Sequence, residues 1–284
     1  MNVPMNARAA AETFLARIGG RPLIMGILNV TPDSFSDGGC FSELDAALAQ
    51  ARRMVEAGAD IIDIGAESTR PGFTPVTVKE EWARLEAPLT ALLRENMAPV
   101  SVDTTKAEIA RRAVALGAAV INDVSGLHNE SGFPGENGLA EIAAESGAAL
   151  VVMHHCAQAD SARDILEDMR AFFTRALALA WKAGVAREKI ILDPGVGFGK
   201  TFEQNLIAAT SAGILKQAFG LPVLVGLSRK RFIGALTGAP TQARLAGTLA
   251  ADLAALQSGA DIFRVHDVVE HADAFKVWNA LVQT

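Results

Sequence analysis

Leu23-Ile-Met-Gly-Ile-Leu-Asn-Val-Thr-Pro-Asp-Ser-Phe-Ser-Asp-Gly-Gly39 opens as a short apolar run, Leu23 to Leu28, and turns at Asn29 into a polar segment with two carboxylates, three hydroxyls and the lone aromatic Phe35. An apolar run of this length bounded by turn residues reads as a buried strand. A strand that empties into a long polar loop is a place to look for chemistry, because a loop held by a rigid scaffold can carry function without having to fill a core.

The same layout recurs down the chain. Further strands are predicted near Ile61-Gly65, Val100-Asp103, Val120-Asn122, Leu150-Met153, Ile190-Leu192, Val223-Leu227 and Ile262-Val265. Amphipathic stretches separate them: Ile165, Leu166, Met169, Phe172, Phe173, Ala176 and Leu177 keep the spacing of a helix with one buried face. Capping patterns mark helix starts at Ser42 with Asp45, Thr77 with Glu80, Thr105 with Glu108 and Thr201 with Gln204. Small-residue turns holding Gly58, Gly117, Gly147 and Gly259 mark helix ends. About eight even strand-helix units in 284 residues, with no dinucleotide fingerprint after the first strand, favour an α/β chain folded as a single-domain (β/α)8 TIM barrel over a doubly wound sheet. Residues 1–20, with a helix expected over Ala7 to Ile18, read as an N-terminal helical extension and 21–284 as the barrel.

The net charge of -6, with no isolated Lys/Arg block, argues against a nucleic-acid or acidic-membrane partner. Cys40 and Cys156 lack metal-type or disulfide-framework spacing, so plain thiols in a reducing cytoplasm are expected. The first twenty residues have no apolar signal core and no later apolar run approaches membrane-spanning length, which predicts a soluble, unexported protein.

Function is read from position, because polar residues gather where strands end, the face on which barrel active sites form. Asn29, Asp63, Asp103, Asn122, Asp123, Asp193, Ser228-Arg229-Lys230, Arg264 and His266 all fall there. Such a mouth suits a ligand with an amidine-like edge, which a carboxylate accepts through two parallel hydrogen bonds, joined to an anionic group held by Lys230, Arg264, His266 and Arg70. The run Asp193-Pro-Gly-Val-Gly-Phe-Gly-Lys-Thr201 is not a Walker A loop, since Pro194 stands where that pattern needs Gly. Its glycines are expected to let backbone approach a ligand and aim Phe198 into the mouth. His154 and His155, adjacent after the fifth strand, are not expected to share a metal. His128 and His271 are read as surface or turn residues.

Gly26-Ile-Leu-Asn-Val-Thr-Pro-Asp-Ser-Phe-Ser-Asp-Gly-Gly39 and Asp63-Ile-Gly-Ala-Glu-Ser-Thr-Arg-Pro-Gly72 resemble the two signatures of the bacterial dihydropteroate synthase family, the folate-pathway target of sulfonamides. Matches continue, in family order, through Ser101-Val-Asp-Thr104, Ile121-Asn-Asp-Val124, Leu192 to Lys200, Ser228 to Gly234 and Arg264-Val-His-Asp267. The resemblance implies a TIM barrel that joins 7,8-dihydropterin-6-ylmethyl diphosphate to 4-aminobenzoate. It implies that Asp103, Asn122, Asp193 and Lys230 hold the pterin, Asn29 contacts Mg2+, Arg70, Arg264 and His266 contact diphosphate, and Thr69, Pro71, Phe35 and Phe198 form the aminobenzoate pocket. Asp103, Asp193, Lys230, Arg264 and His266 are then the catalytic candidates, Mg2+ the cofactor, the two small molecules the partners, and a homodimer the assembly.

One segment departs from the family pattern: where Met-His-Met-Gln-Gly is usual, this chain has Met153-His154-His155-Cys156-Ala157. His155 thus replaces a Met expected against the pterin face. Two other functions compete with the synthase: a pterin-barrel methyltransferase, which would not need the diphosphate cations, and a non-catalytic paralogue that binds pterin or a partner protein.

Overall fold

The computed structural model describes residues 6–31, 40–67, 75–127 and 138–282. Its strands are β1 (Leu23–Asn29), β2 (Ile61–Gly65), β3 (Val100–Asp103), β4 (Val120–Asp123), β5 (Ala149–Met153), β6 (Ile190–Asp193), β7 (Leu224–Val225) and β8 (Ile262–Val265). All pair in parallel in the order β6-β5-β4-β3-β2-β1-β8-β7, and a parallel bridge between Leu192 and Val223 joins the two ends. The sheet therefore closes as the expected barrel. Strand seven is shorter than its sequence suggests because Leu227 already starts a turn, its carbonyl accepting from Lys230 N at 3.2 Å.

The α-helices are α1 (Ala7–Leu15), α2 (Cys40–Glu56), α3 (Val78–Glu95), α4 (Ala107–Leu116), α5 (Leu139–Ser146), α6 (Ile165–Lys182), α7 (Phe202–Ala209), α8 (Ala212–Phe219), α9 (Arg231–Thr237), α10 (Leu245–Gln257) and α11 (Val268–Val282). Thr77 and Thr201 form the expected capping boxes at α3 and α7. The cap expected at Thr105 does not form. Extended Lys106, not Thr105, sits at the start of α4 without a side-chain cap, and Glu108 pairs with Arg112 instead. The second helix begins at Cys40, which places Ser42 inside its first turn.

Side chains alternate across each strand, which sorts the barrel into two apolar clusters. Ile24, Leu28, Ile62, Ile64, Val102 and Ile121 face the helices. Leu23, Met25, Ile61, Val120, Val151, Ile191, Leu224 and Ile262 fill the interior at the strand starts, where Ala10, Ala11 and Phe14 of α1 pack on them. The N-terminal helix thus plugs the barrel floor and ends at Leu15, short of Ile18. Burying Phe14 there contributes roughly 1.5–3 kcal/mol. Continuing the inward phase upward from Ile61, Val120, Ile191 and Ile262 leads to Asp63, Asn122, Asp193 and Arg264, so the apolar floor carries a polar layer above it.

Candidate active site

That polar layer is cross-linked. Arg264 Nε donates to Asp63 Oδ2 at 2.6 Å and its Nη2 to Asp103 Oδ2 at 2.7 Å. Asn122 Nδ2 donates to the same Asp63 oxygen at 3.2 Å. Among the described residues, Asp63 Oδ1, Asp103 Oδ1 and Ser101 Oγ are buried without a hydrogen-bond partner. A buried carboxylate oxygen left open is costly unless a ligand supplies donors. Gly65 stands beside Asp103 in the sheet register, and a Cβ added there would lie 3.3 Å from Asp103 Cβ, so glycine leaves the space over the carboxylate clear. Burial pushes the Asp103 carboxyl up to about 7, with Arg264 pulling the other way. Burial also opposes the Arg264 charge, but Asp63 and Asp103 outweigh it and hold the guanidinium firmly protonated.

Asp193 closes β6 with its Oδ1 accepting from Gly195 N at 2.7 Å, and burial raises its pKa against that hydrogen bond and the charge of Lys230. The following loop is packed against the end of strand five. Gly195 (φ +64) and Gly199 (φ +61) lie so close to the chain that a Cβ would fall 1.7 Å from His154 O and 1.8 Å from Cys156 O. These two glycines therefore admit protein backbone, not the expected ligand. Gly197 does face Lys230, whose side chain is 3.3 Å from the position a Cβ would take. Lys230 Nζ lies 4.5 Å from the Phe198 ring centre, a cation-π contact that ties the two predicted binding residues together. Lys200 is buried beneath the loop, donating to the carbonyls of Gly195, His154 and Phe198, and burial lowers its pKa to about 8.

Strands seven and eight supply the cationic side. Ser228 Oγ and His266 Nδ1 are 2.9 Å apart. Arg229 adopts φ +58, donates to Asp267, and has its carbonyl held by Arg244 at 3.0 Å, which fixes the backbone immediately before Lys230. His271 was expected at the surface. It is fully buried on α11, with Nδ1 2.6 Å from Asp267 O and Nε2 2.9 Å from Asp252 Oδ2, because the helix must pass over strand eight to bring it against α10. Burial opposes protonation of this ring, yet Asp252 raises its pKa.

Of the predicted site residues, Asp103, Asn122, Asp193, Phe198, Lys230, Arg264 and His266 fall on the strand-end face, as does half-buried Asn29. Phe35, Thr69, Arg70, Pro71 and His128 lie outside the described residues. Arg264 was expected only at diphosphate, yet two of its nitrogens are committed to carboxylates within the barrel. A second network escaped the sequence reading. Buried Lys106 pairs with Glu67 at 3.0 Å and Glu81 at 2.6 Å, Thr104 Oγ1 donates to Glu81, and Glu67 accepts from Val76 N. It ties Glu67, just after β2, to Val76, just before α3. Its one sequence hint is Glu67 within the second signature.

After β5 strand alternation no longer applies, and both His154 and His155 rings meet Phe172, at 4.9 Å and 5.5 Å. His154 Nε2 lies 3.0 Å from Asp168 Oδ2, and burial lowers its pKa to about 4 against that hydrogen bond.

The pterin-binding enzyme profile matches residues 25–266, and the chain belongs to that family. A dihydropteroate synthase from Synechocystis is 45% identical over 270 residues, spanning 93% of this chain and 91% of its own. The Xanthomonas albilineans dihydropteroate synthase solved with 4-aminobenzoic acid superposes with a TM-score of 0.86 at 43% identity, covering 93% of this chain and 94% of that one. The same enzyme in complex with 7,8-dihydropteroate gives 0.83 at 40% identity, over 93% and 95% of the two chains. Within the family, this chain groups with the dihydropteroate synthases.

Proposed function

We propose that this barrel mouth condenses 7,8-dihydropterin-6-ylmethyl diphosphate with 4-aminobenzoate to give 7,8-dihydropteroate and diphosphate. The observation that carries the reading is the open, buried oxygen of Asp103, set beside Asn122 and Arg264 on the strand-end face of a chain that groups with dihydropteroate synthases. The pterin's amidine-like edge supplies the donor that the open Asp103 oxygen lacks, with Asp193 as the second carboxylate of the mouth. Lys230, stacked over Phe198, then reaches the pterin from the loop side, and Phe198 offers its ring to the aminobenzoate.

An arylamine is already neutral at pH 7, so the difficult event is loss of diphosphate. The methylene C–O bond breaks, the C–N bond forms, and the arylamine proton passes to solvent. Asp103 and Asp193 stabilise positive charge spreading from the methylene into the ring, while His266, Arg70 and Lys230 favour the departing anion. Asn29 fits Mg2+: its inward position at the end of β1 offers a hard amide oxygen, and this ion takes few protein ligands beside substrate phosphates and water. When bound, the ion supplies positive charge to the leaving group.

A homodimer belongs to the same proposal, supported by exposed Val269, Val277 and Val282 on α11. A cytoplasmic setting is supported by the free thiol of Cys156. The test of the charge assignment is turnover by Asp103→Asn and Asp193→Asn. Each is expected to lose about a hundredfold or more in kcat, on the scale of removing one preorganised electrostatic group; near-normal turnover in both would overturn the assignment.

A further inference from the structure

Among the described residues, one group of three metal-ligating side chains lies close enough to share an ion, and it is outside the pterin mouth: His154, Cys156 and Asp168. The first two come from the loop after β5 and the third from the first turn of α6. His154 Nε2 and Asp168 Oδ2 are 3.0 Å apart, Cys156 Sγ and Asp168 Oδ2 3.4 Å, and Cys156 Sγ and His154 Nε2 3.9 Å. A tetrahedral zinc with ordinary ligand distances would separate nitrogen from oxygen by about 3.3 Å and sulfur from either by about 3.5 Å. The triangle already present is one face of that tetrahedron to within a few tenths of an ångström.

We propose that this triangle is a binding site for a thiophilic divalent cation, with zinc as the best-fitting metal. One imidazole, one thiol and one carboxylate suit zinc and disfavour magnesium, which prefers oxygen alone. His154 and Cys156 are buried, whereas Asp168 is about one-third exposed, so the ion enters from the Asp168 side and a water completes its coordination. The metal–sulfur bond forms as the thiol releases its proton to solvent. Arg163, 3.7 Å from the second Asp168 oxygen, must swing away, and buried Lys200 adds a nearby positive charge. Both weaken the site and place it in a reversible range. The site also abuts the substrate loop, since Cys156 N donates to Phe198 O at 3.5 Å and Gly199 presses on the Cys156 carbonyl.

The test uses the full-length protein, stripped with a chelator and titrated with Zn2+ by calorimetry and with Co2+ by absorption. One Zn2+ per chain with about one proton released, and a sulfur-to-cobalt charge-transfer band with Co2+, are expected. The band should vanish in Cys156→Ser and persist in Cys40→Ser, and Asp168→Asn should weaken Zn2+ at least about tenfold. Thermal unfolding with and without Zn2+ verifies that each variant is folded. Absence of stoichiometric binding by the folded wild-type protein, or a band that survives Cys156→Ser, would overturn the proposal. Neither readout depends on synthase turnover.

Discussion

Arg264 and Asp103, 161 residues apart in the chain, meet at 2.7 Å inside the barrel, while the same guanidinium holds Asp63 at 2.6 Å. One cation is therefore shared between two carboxylates that the apolar floor pushes toward taking up protons. Replacing it strands both acids. Arg264→Gln is expected to lose about 3–5 kcal/mol of stability at pH 8, the usual penalty for removing one partner of a buried ion pair. Denaturant unfolding at pH 8 and pH 5.5 checks this, and the deficit should shrink at the lower pH, where protons can replace the arginine.

The Asp103 pKa gives a second outcome. Its folded value, about 7, lies above the ordinary aspartate value of 3.8 expected in an unfolded chain, so between those limits the folded protein holds a proton that the unfolded chain has released. This contribution is fully present below the unfolded pKa and is lost as pH rises through about 7. Wild-type stability should therefore fall across that window relative to Asp103→Asn, measured by unfolding at a series of pH values. Catalysis should run the opposite way, with wild-type kcat/KM rising through a limb near 7 as the carboxylate forms.

Gly199 and Gly238 separate crowding from backbone strain. Both have left-handed φ, +61° and +71°, but a Cβ at Gly238 meets nothing within 4 Å, whereas one at Gly199 would strike the Cys156 carbonyl at 1.8 Å. Gly238→Ala should lose only the conformational penalty of about 1–2 kcal/mol. Gly199→Ala should lose clearly more, and equal losses in thermal unfolding would contradict the packing of this loop on strand five.

Lys106→Met leaves Glu67 and Glu81 buried without their shared cation, and the loss should be about 3 kcal/mol or more. Adding Glu81→Gln to that variant should recover part of the stability in a double-mutant comparison, because one stranded charge is then removed.

The barrel was legible because each strand is a short apolar run and each helix keeps one apolar face, both local patterns. The inward phase of Asp63, Asn122, Asp193 and Arg264 also follows from period two along their strands. Pairing across the barrel is not local. Nothing near Arg264 indicates that it reaches Asp63 and Asp103, and Lys106 gives no sign of its two glutamates on other elements. Thr105 misled because a capping pattern does not say which residue turns extended. His271 misled because a histidine on an amphipathic helix has no sequence mark of burial until Asp252 arrives from α10. Cys156 and Asp168, twelve residues apart, lack metal-type spacing, and only the fold closes them to 3.4 Å.

The central claim is tested most directly by supplying the purified protein with 7,8-dihydropterin-6-ylmethyl diphosphate, Mg2+ and 4-aminobenzoate and following products by chromatography. Dihydropteroate and diphosphate are expected in equal amounts, with no dihydropteroate when 4-aminobenzoate is left out and strong loss of turnover in Lys230→Ala. Pterin binding without any product from the folded wild-type protein would contradict the synthase assignment and leave a pterin-binding barrel that does not catalyse this condensation.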